Sequence, residues 1–238
     1  MAMVTILQKV VAINYLPLIP FVRISFGGTA LIIFSSILLG PFFGLLVGAG
    51  SDILGYLIFD PKTFGFFPQI TAIYALLCFC SYFVFSLIKL IRQYKAMKII
   101  EFSSFLVLFI VVSGYIILHD EITLYKSTYQ IELYQKIVIP LVLFSLFALL
   151  TIFLILTDKA IKKKNLDLKM NSYQISFALF ILEMVVMVLF GSIMKAFAFG
   201  FQTYLVILIS QIIVSFINIP LNTFLLSYIM YFTRKYFI

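Results

Sequence analysis

The chain has 238 residues, of which 64% are hydrophobic and only 11% charged, with 28 Phe and no Trp. Soluble domains carry about 45–50% apolar and about 25% charged residues. The composition therefore excludes a water-soluble enzyme, a disordered tail and a disulfide scaffold, and makes a lipid bilayer the natural solvent. The net charge of +8, from 17 Lys and Arg against 9 Asp and Glu, takes its meaning from where the cations lie.

A spanning helix uses roughly 20 residues, so about eight spans with short loops would consume the chain. Span one covers residues 4–20. A long apolar stretch is then broken at Gly40-Pro41, giving a short span two (28–39) and span three (42–58). A loop at 60–69 leads to span four (70–90), span five (99–118) and span six (136–157). Span seven covers 174–198 and span eight 204–232. Gln8, Lys9, Asn14 and Pro17 interrupt span one, and span two is too short to cross roughly 30 Å alone. The fold class read from this pattern is all-α: a polytopic membrane helical bundle, one integral membrane domain over residues 1–238.

Charge orients the bundle. Lys89, Arg92, Lys95 and Lys98 follow span four; Lys159, Lys162, Lys163, Lys164 and Lys169 follow span six; Arg234 and Lys235 follow span eight. With eight spans these clusters share one side, and the intervening loops carry Asp60, Asp120, Glu121 and Glu132. The positive-inside rule then puts both termini in the cytoplasm. The basic charge reads as membrane orientation, so no nucleic-acid partner is expected, and the localisation is a cell membrane crossed several times. The apolar character continues far past residue 30 without an A-x-A-type site, so a cleavable signal peptide is not expected.

Few residues invite chemistry. Arg23 lies between spans one and two, flanked by apolar residues on the extracytoplasmic side. It reads either as a snorkelling anchor or as a fixed cation suited to a carboxylate. The loop Phe64-Gly-Phe-Phe-Pro68 on the same side offers aromatic faces. Gly40, Gly44 and Gly48 recur at i, i+4 and i+8, a face that lets another helix approach closely. The run Gly48-Ala-Gly-Ser-Asp-Ile-Leu-Gly55 lacks the third glycine of a dinucleotide loop and its βαβ context. It also lacks the second intramembrane Asp that an aspartyl protease needs.

Asp52, Glu183 and Lys195 fall within spans, where unpaired charge costs at least about 2.5–3.5 kcal/mol, so they are expected to face the bundle interior. Asp52 is expected to pair with Arg23 or with backbone, and Glu183 with a cation or a substrate donor. His119, beside Asp120 and Glu121, reads as a solvated interface residue. Cys78 and Cys80 match no redox or zinc spacing and read as structural thiols. No H-E-x-x-H, G-x-S-x-G or Walker A motif occurs. The expectation is a chain with no catalytic or metal site, no cofactor and no ATPase of its own.

Three segments in order, Pro20-Phe-Val-Arg-Ile-Ser-Phe-Gly27, Leu39-Gly-Pro-Phe-Phe-Gly-Leu-Leu-Val-Gly-Ala-Gly-Ser-Asp-Ile-Leu-Gly55 and Phe66-Phe-Pro68, resemble the folate-type substrate-binding S component of energy-coupling factor (ECF) vitamin transporters. The resemblance runs over about residues 17–90, with a weaker echo at Ile219-Pro-Leu221. It implies a six-helix core that binds a vitamin near the outer face. It further implies docking on a transmembrane coupling subunit with two cytoplasmic ATPases.

Carried over, Arg23 and the Phe66, Phe67, Pro68 loop are substrate contacts, with Gln69 standing where the family has glycine. Gly40, Gly44, Gly48, Asp52 and Gly55 are structural. The family's A-x-x-x-A docking pattern is absent from span one. Residues 1–98 and 170–238 would form the core, and about 99–169 an inserted helix pair with its cytoplasmic loop. The implied ligand is folate or a related pteridine. Another vitamin or a nucleobase, and a non-transporting membrane scaffold, are the alternatives.

Overall fold

The computed structural model describes residues 5–6, 28–59, 66–91, 94–124, 127–163 and 170–233. Helix α1 (Gly28–Leu39) and α2 (Pro41–Phe59) are separated by Gly40 alone. They are followed by α3 (Pro68–Leu90) and α4 (Tyr94–Leu118). A hairpin of β1 (Glu121–Leu124) and β2 (Ser127–Gln130) leads to α5 (Leu133–Lys163). Then come α6 (Ser172–Leu182), a π-helical segment (Glu183–Phe190) and α7 (Gly191–Phe199), which run on as one rod. A 3-10 turn (Phe201–Thr203) joins it to α8 (Tyr204–Thr233).

Six stretches are long and apolar enough to cross a membrane: Pro41–Ile58, Pro68–Leu90, Lys95–Leu118, Leu133–Thr157, Ser172–Ala198 and Tyr204–Thr233. They match spans three to eight within a few residues. Span two is the short helix α1. Span one lies outside the described residues except for Thr5 and Ile6, which are helical. The hairpin lies inside what reads as a plain loop, a departure from helix that hydropathy did not announce.

Local chemistry explains the breaks. Gly40 has φ +89, a left-handed conformation that only Gly adopts without strain, and Pro41 occupies the first helical position, where its missing N–H costs nothing. Gly200 (φ +103) ends α7 in the same way. Pro68 opens α3. Pro140 and Pro220 lie inside α5 and α8, as membrane helices tolerate when neighbours re-satisfy the backbone. Gln174 ties the start of α6 to the end of α3. Its carbonyl oxygen accepts the Asn171 N–H at 2.9 Å, and its amide donates to the Ile88 and Ile91 carbonyls at 3.3 and 3.1 Å.

The last two spans are the centre of the bundle: 50% and 56% of their windows are buried, against 22–28% for the other four. One core gathers Phe105, Val112, Leu143 and Leu150 of α4 and α5 against Phe180, Ile213 and Phe216. The other packs Ile33, Leu77 and Phe85 of α1 and α3 against Leu179, Leu182 and Leu226. Residues 99–158, read as an inserted pair, thus share a core with α6 and α8. Large apolar side chains such as Phe42, Leu57, Leu87, Leu118, Leu141 and Phe197 face outward, a surface that suits lipid.

Candidate functional site

The bundle has two ends. Toward the Phe66 end lie the end of α2 and the start of α3, the hairpin between α4 and α5, and the 3-10 turn between α7 and α8. Toward the Lys98 end lie the end of α3, the start of α4, the end of α5 and the start of α6.

Of the sequence-expected site residues, Asp52, Gly55, Phe66, Phe67, Pro68 and Gln69 lie toward the Phe66 end, whereas Gly40 precedes α2 at its opposite end. Asp52 lies on α2 about 10 Å, or seven residues of helix rise, below the Phe66 end. It is buried, and Thr71 of α3 donates its hydroxyl to Asp52 Oδ2 at 2.6 Å. Asp52 therefore takes a side-chain donor from the next helix; Arg23 lies outside the described residues. One turn above Thr71, Phe66 is exposed and packs against Tyr56 of α2, ring centroids 5.4 Å apart. Phe67 caps α3, half-buried, and Pro68 is its first residue. The side-chain oxygen Oε1 of Gln69 is buried with no hydrogen-bond partner among the described residues. A buried carboxylate, an uncommitted amide oxygen and a pair of aromatic rings thus converge at one end.

The glycines sit where close approach is needed. A Cβ on Gly44 would lie 2.6 Å from Cβ of Ser36 on α1, and one on Gly48 would lie 2.6 Å from Sγ of Cys78 and from the Tyr74 carbonyl on α3. The stripe serves two partners, not one. Ser36 donates its hydroxyl to the Cys78 carbonyl at 2.5 Å and locks α1 onto α3 across α2. Gly55 is buried as well. Cys78 and Cys80 are free thiols within α3.

Further polar groups occupy the interior. Glu183 stands in the middle of the bundle on the π-helical segment, where Asn218 of α8 donates to its Oε1 at 3.0 Å and the charge of Lys195 acts on it. Asn218 Oδ1, Asn222 Oδ1, Thr223 Oγ1 and Ser192 Oγ are buried and unpartnered among the described residues. Glu101, buried on α4, receives the Ser176 hydroxyl at 2.5 Å. Sequence reasoning missed Glu101, because it trails the Lys95–Lys98 cluster and reads as an interface charge. It also missed Asn218 and Asn222, whose i, i+4 spacing in an apolar helix was the available signal.

His119 is exposed and stacks on Tyr115 at 4.2 Å. A cavity of about 610 Å³ opens between α4 and α5 toward the Lys98 end, away from the Phe66 cluster. Among the described residues no three His, Cys, Asp or Glu side chains group as metal ligands. The chain matches no family model, no curated protein and no solved structure.

Proposed function

We propose that this protein is the substrate-binding S component of an ECF-type vitamin importer. In this reading it captures folate or a related pteridine at the extracytoplasmic face and passes it to a transmembrane coupling subunit driven by two cytoplasmic ATPases. The observation that carries the reading is the convergence of motifs that are separate in the sequence. Helix α2, which carries the Gly40–Gly55 segment from Pro41 on, and helix α3, which Pro68 opens, meet through the Asp52–Thr71 hydrogen bond, and Tyr56 of α2 packs against Phe66. The orientation comes from the Lys clusters, which the positive-inside rule assigns to the cytoplasm together with both termini. That leaves the Phe66 end facing outward.

The chemistry follows from the side chains. A guanidinium at Arg23 grips a carboxylate with two parallel hydrogen bonds. Phe66 and Phe67 give a planar ring an apolar face to stack on, and the Gln69 oxygen accepts a ring N–H. Binding of folate to the purified protein, read by calorimetry, tests the proposal. Saturable binding that Arg23→Ala and Phe66→Ala each weaken is the expected result. Absence of binding removes the folate assignment, and competition by another vitamin or a nucleobase reassigns the ligand. Failure to shift with any such ligand, and failure to co-purify with ATPases, returns the chain to a membrane scaffold.

A further inference from the structure

The cavity between α4 and α5 is distinct from the Phe66 cluster and has its own polarity pattern. Its walls are Phe102 and Leu106 of α4 facing Phe147, Leu150 and Ile155 of α5. At about 610 Å³ it falls in the size range of ligand pockets, about 300–1,000 Å³. Phe102, Leu106 and Ile155 are exposed, so the slot opens sideways to the surrounding hydrocarbon.

Its length is informative. From Lys98 to Val107 the α4 wall rises about 13 Å, close to one leaflet, about 15 Å or half of a hydrocarbon core of roughly 30 Å.

One end of the slot is basic. Lys98 lines it, with Nζ 3.5 Å above the ring of Tyr173. Lys95 lies one turn before Lys98 on α4, and Lys159 one turn beyond Ile155 on α5; both are exposed. These spacings put each lysine on the same helix face as a lining residue. Glu101, the carboxylate in the lining, lies about 4.5 Å deeper than Lys98 and turns to Ser176 of α6, below the level of a headgroup.

The geometry points to a site for one anionic phospholipid. Its acyl chain fills the α4–α5 slot, and its phosphate sits among Lys95, Lys98 and Lys159. A basic pocket between membrane helices is the recognised chemistry for acidic headgroups, and an apolar slot one leaflet deep supplies the complementary tail site. This site is independent of the vitamin-binding reading and of the direction in which the bundle is inserted.

The test uses the full-length protein, stripped of lipid and reconstituted in phosphatidylcholine discs containing a minor share of phosphatidylglycerol. Lipid retained after extraction is then read by native mass spectrometry. The wild type is expected to retain phosphatidylglycerol above its share in the disc. Lys98→Gln should lower that enrichment roughly fivefold, the fold-change of one basic residue at an anionic surface. Leu106→Trp, which fills the slot, should lose retained lipid of either headgroup, whereas Leu57→Trp, on lipid-facing α2, should not. Equal retention of the two lipids by the wild type, or undiminished enrichment in Lys98→Gln, overturns the proposal. So does a Leu106→Trp variant that behaves like Leu57→Trp. Should Leu106→Trp fail to fold, Lys98→Gln leaves the apolar walls of Phe102, Leu106, Phe147, Leu150 and Ile155 unchanged and decides alone.

Discussion

Asn218 donates its side-chain amide to Glu183 Oε1 at 3.0 Å, joining α8 to the π-helical segment in the middle of the bundle. Both side chains are at most 5% exposed, so each depends on the other for its hydrogen bond. π-Helical turns inside α-helices frequently mark functional positions, and this segment begins at the carboxylate.

Truncating either partner leaves the other buried and unsatisfied, at about 1–3 kcal/mol. Glu183→Ala and Asn218→Ala should each lower the thermal unfolding midpoint in detergent, with a double-mutant loss smaller than the sum. Glu183→Gln, which keeps an acceptor for Asn218, should lose less. Full additivity of the two alanine variants would show that the bond contributes nothing.

Asp52 and Thr71 make the corresponding contact nearer the Phe66 end, at 2.6 Å. Leaving a buried acceptor without its hydrogen bond costs about 1–3 kcal/mol. Thr71→Val preserves the side-chain shape and removes the donor, so it should destabilise by that order in an unfolding titration. Thr71→Ser should restore most of the loss. A Thr71→Val protein as stable as the wild type would mean that Asp52 finds a second donor.

Two glycines give opposite expectations for the same substitution. Gly48→Ala drives a methyl group to 2.6 Å from Cys78 Sγ and the Tyr74 carbonyl, and overpacking of this kind costs about 1–3 kcal/mol. Gly114→Ala on α4 meets nothing within 4 Å. It should stabilise by up to about 1 kcal/mol through helix propensity. Unfolding midpoints measured side by side distinguish them, and a shift of the same sign in both would contradict the packing described.

At the start of the hairpin, Lys136 Nζ lies 2.5 Å from Asp120 Oδ1 and holds that carboxyl below the ordinary aspartate value of 3.8. The sign follows from which state binds the proton more weakly. The folded carboxyl stays ionised below 3.8, so the pair stabilises the fold above that pH and ceases to do so as pH falls through the depressed value. Lys136→Gln should return the Asp120 titration toward 3.8, read by carbon NMR of labelled aspartate. Because Asp120 is exposed, added salt should produce part of the same change.

The Gly40-Pro41 break, six of the eight expected spans and the burial of Asp52 and Glu183 were legible in the sequence, since each depends on local composition or on the cost of charge in lipid. The partners were not. Glu183 reads as a residue needing a cation or a substrate donor, whereas the hydrogen bond it receives comes from Asn218, 35 residues away. Gly44 and Gly48 read as one packing face, whereas the fold divides them between Ser36 and Cys78. Glu101 escaped notice beside its lysines.

By itself, then, the sequence determined the solvent and the limits of six spans to within a few residues, because hydropathy sums over neighbouring residues and needs no knowledge of distant ones. Only the tertiary structure decided which helices are central and which buried polar groups meet. The physical reason lies in the composition: helices that are apolar all round carry no stripe to mark the buried side, and lipid is as apolar as the core. Helix rotation and register are therefore set by close contacts and a few buried hydrogen bonds. Those contacts exist only once Ser172–Ala198 and Tyr204–Thr233 stand side by side at the centre of the bundle.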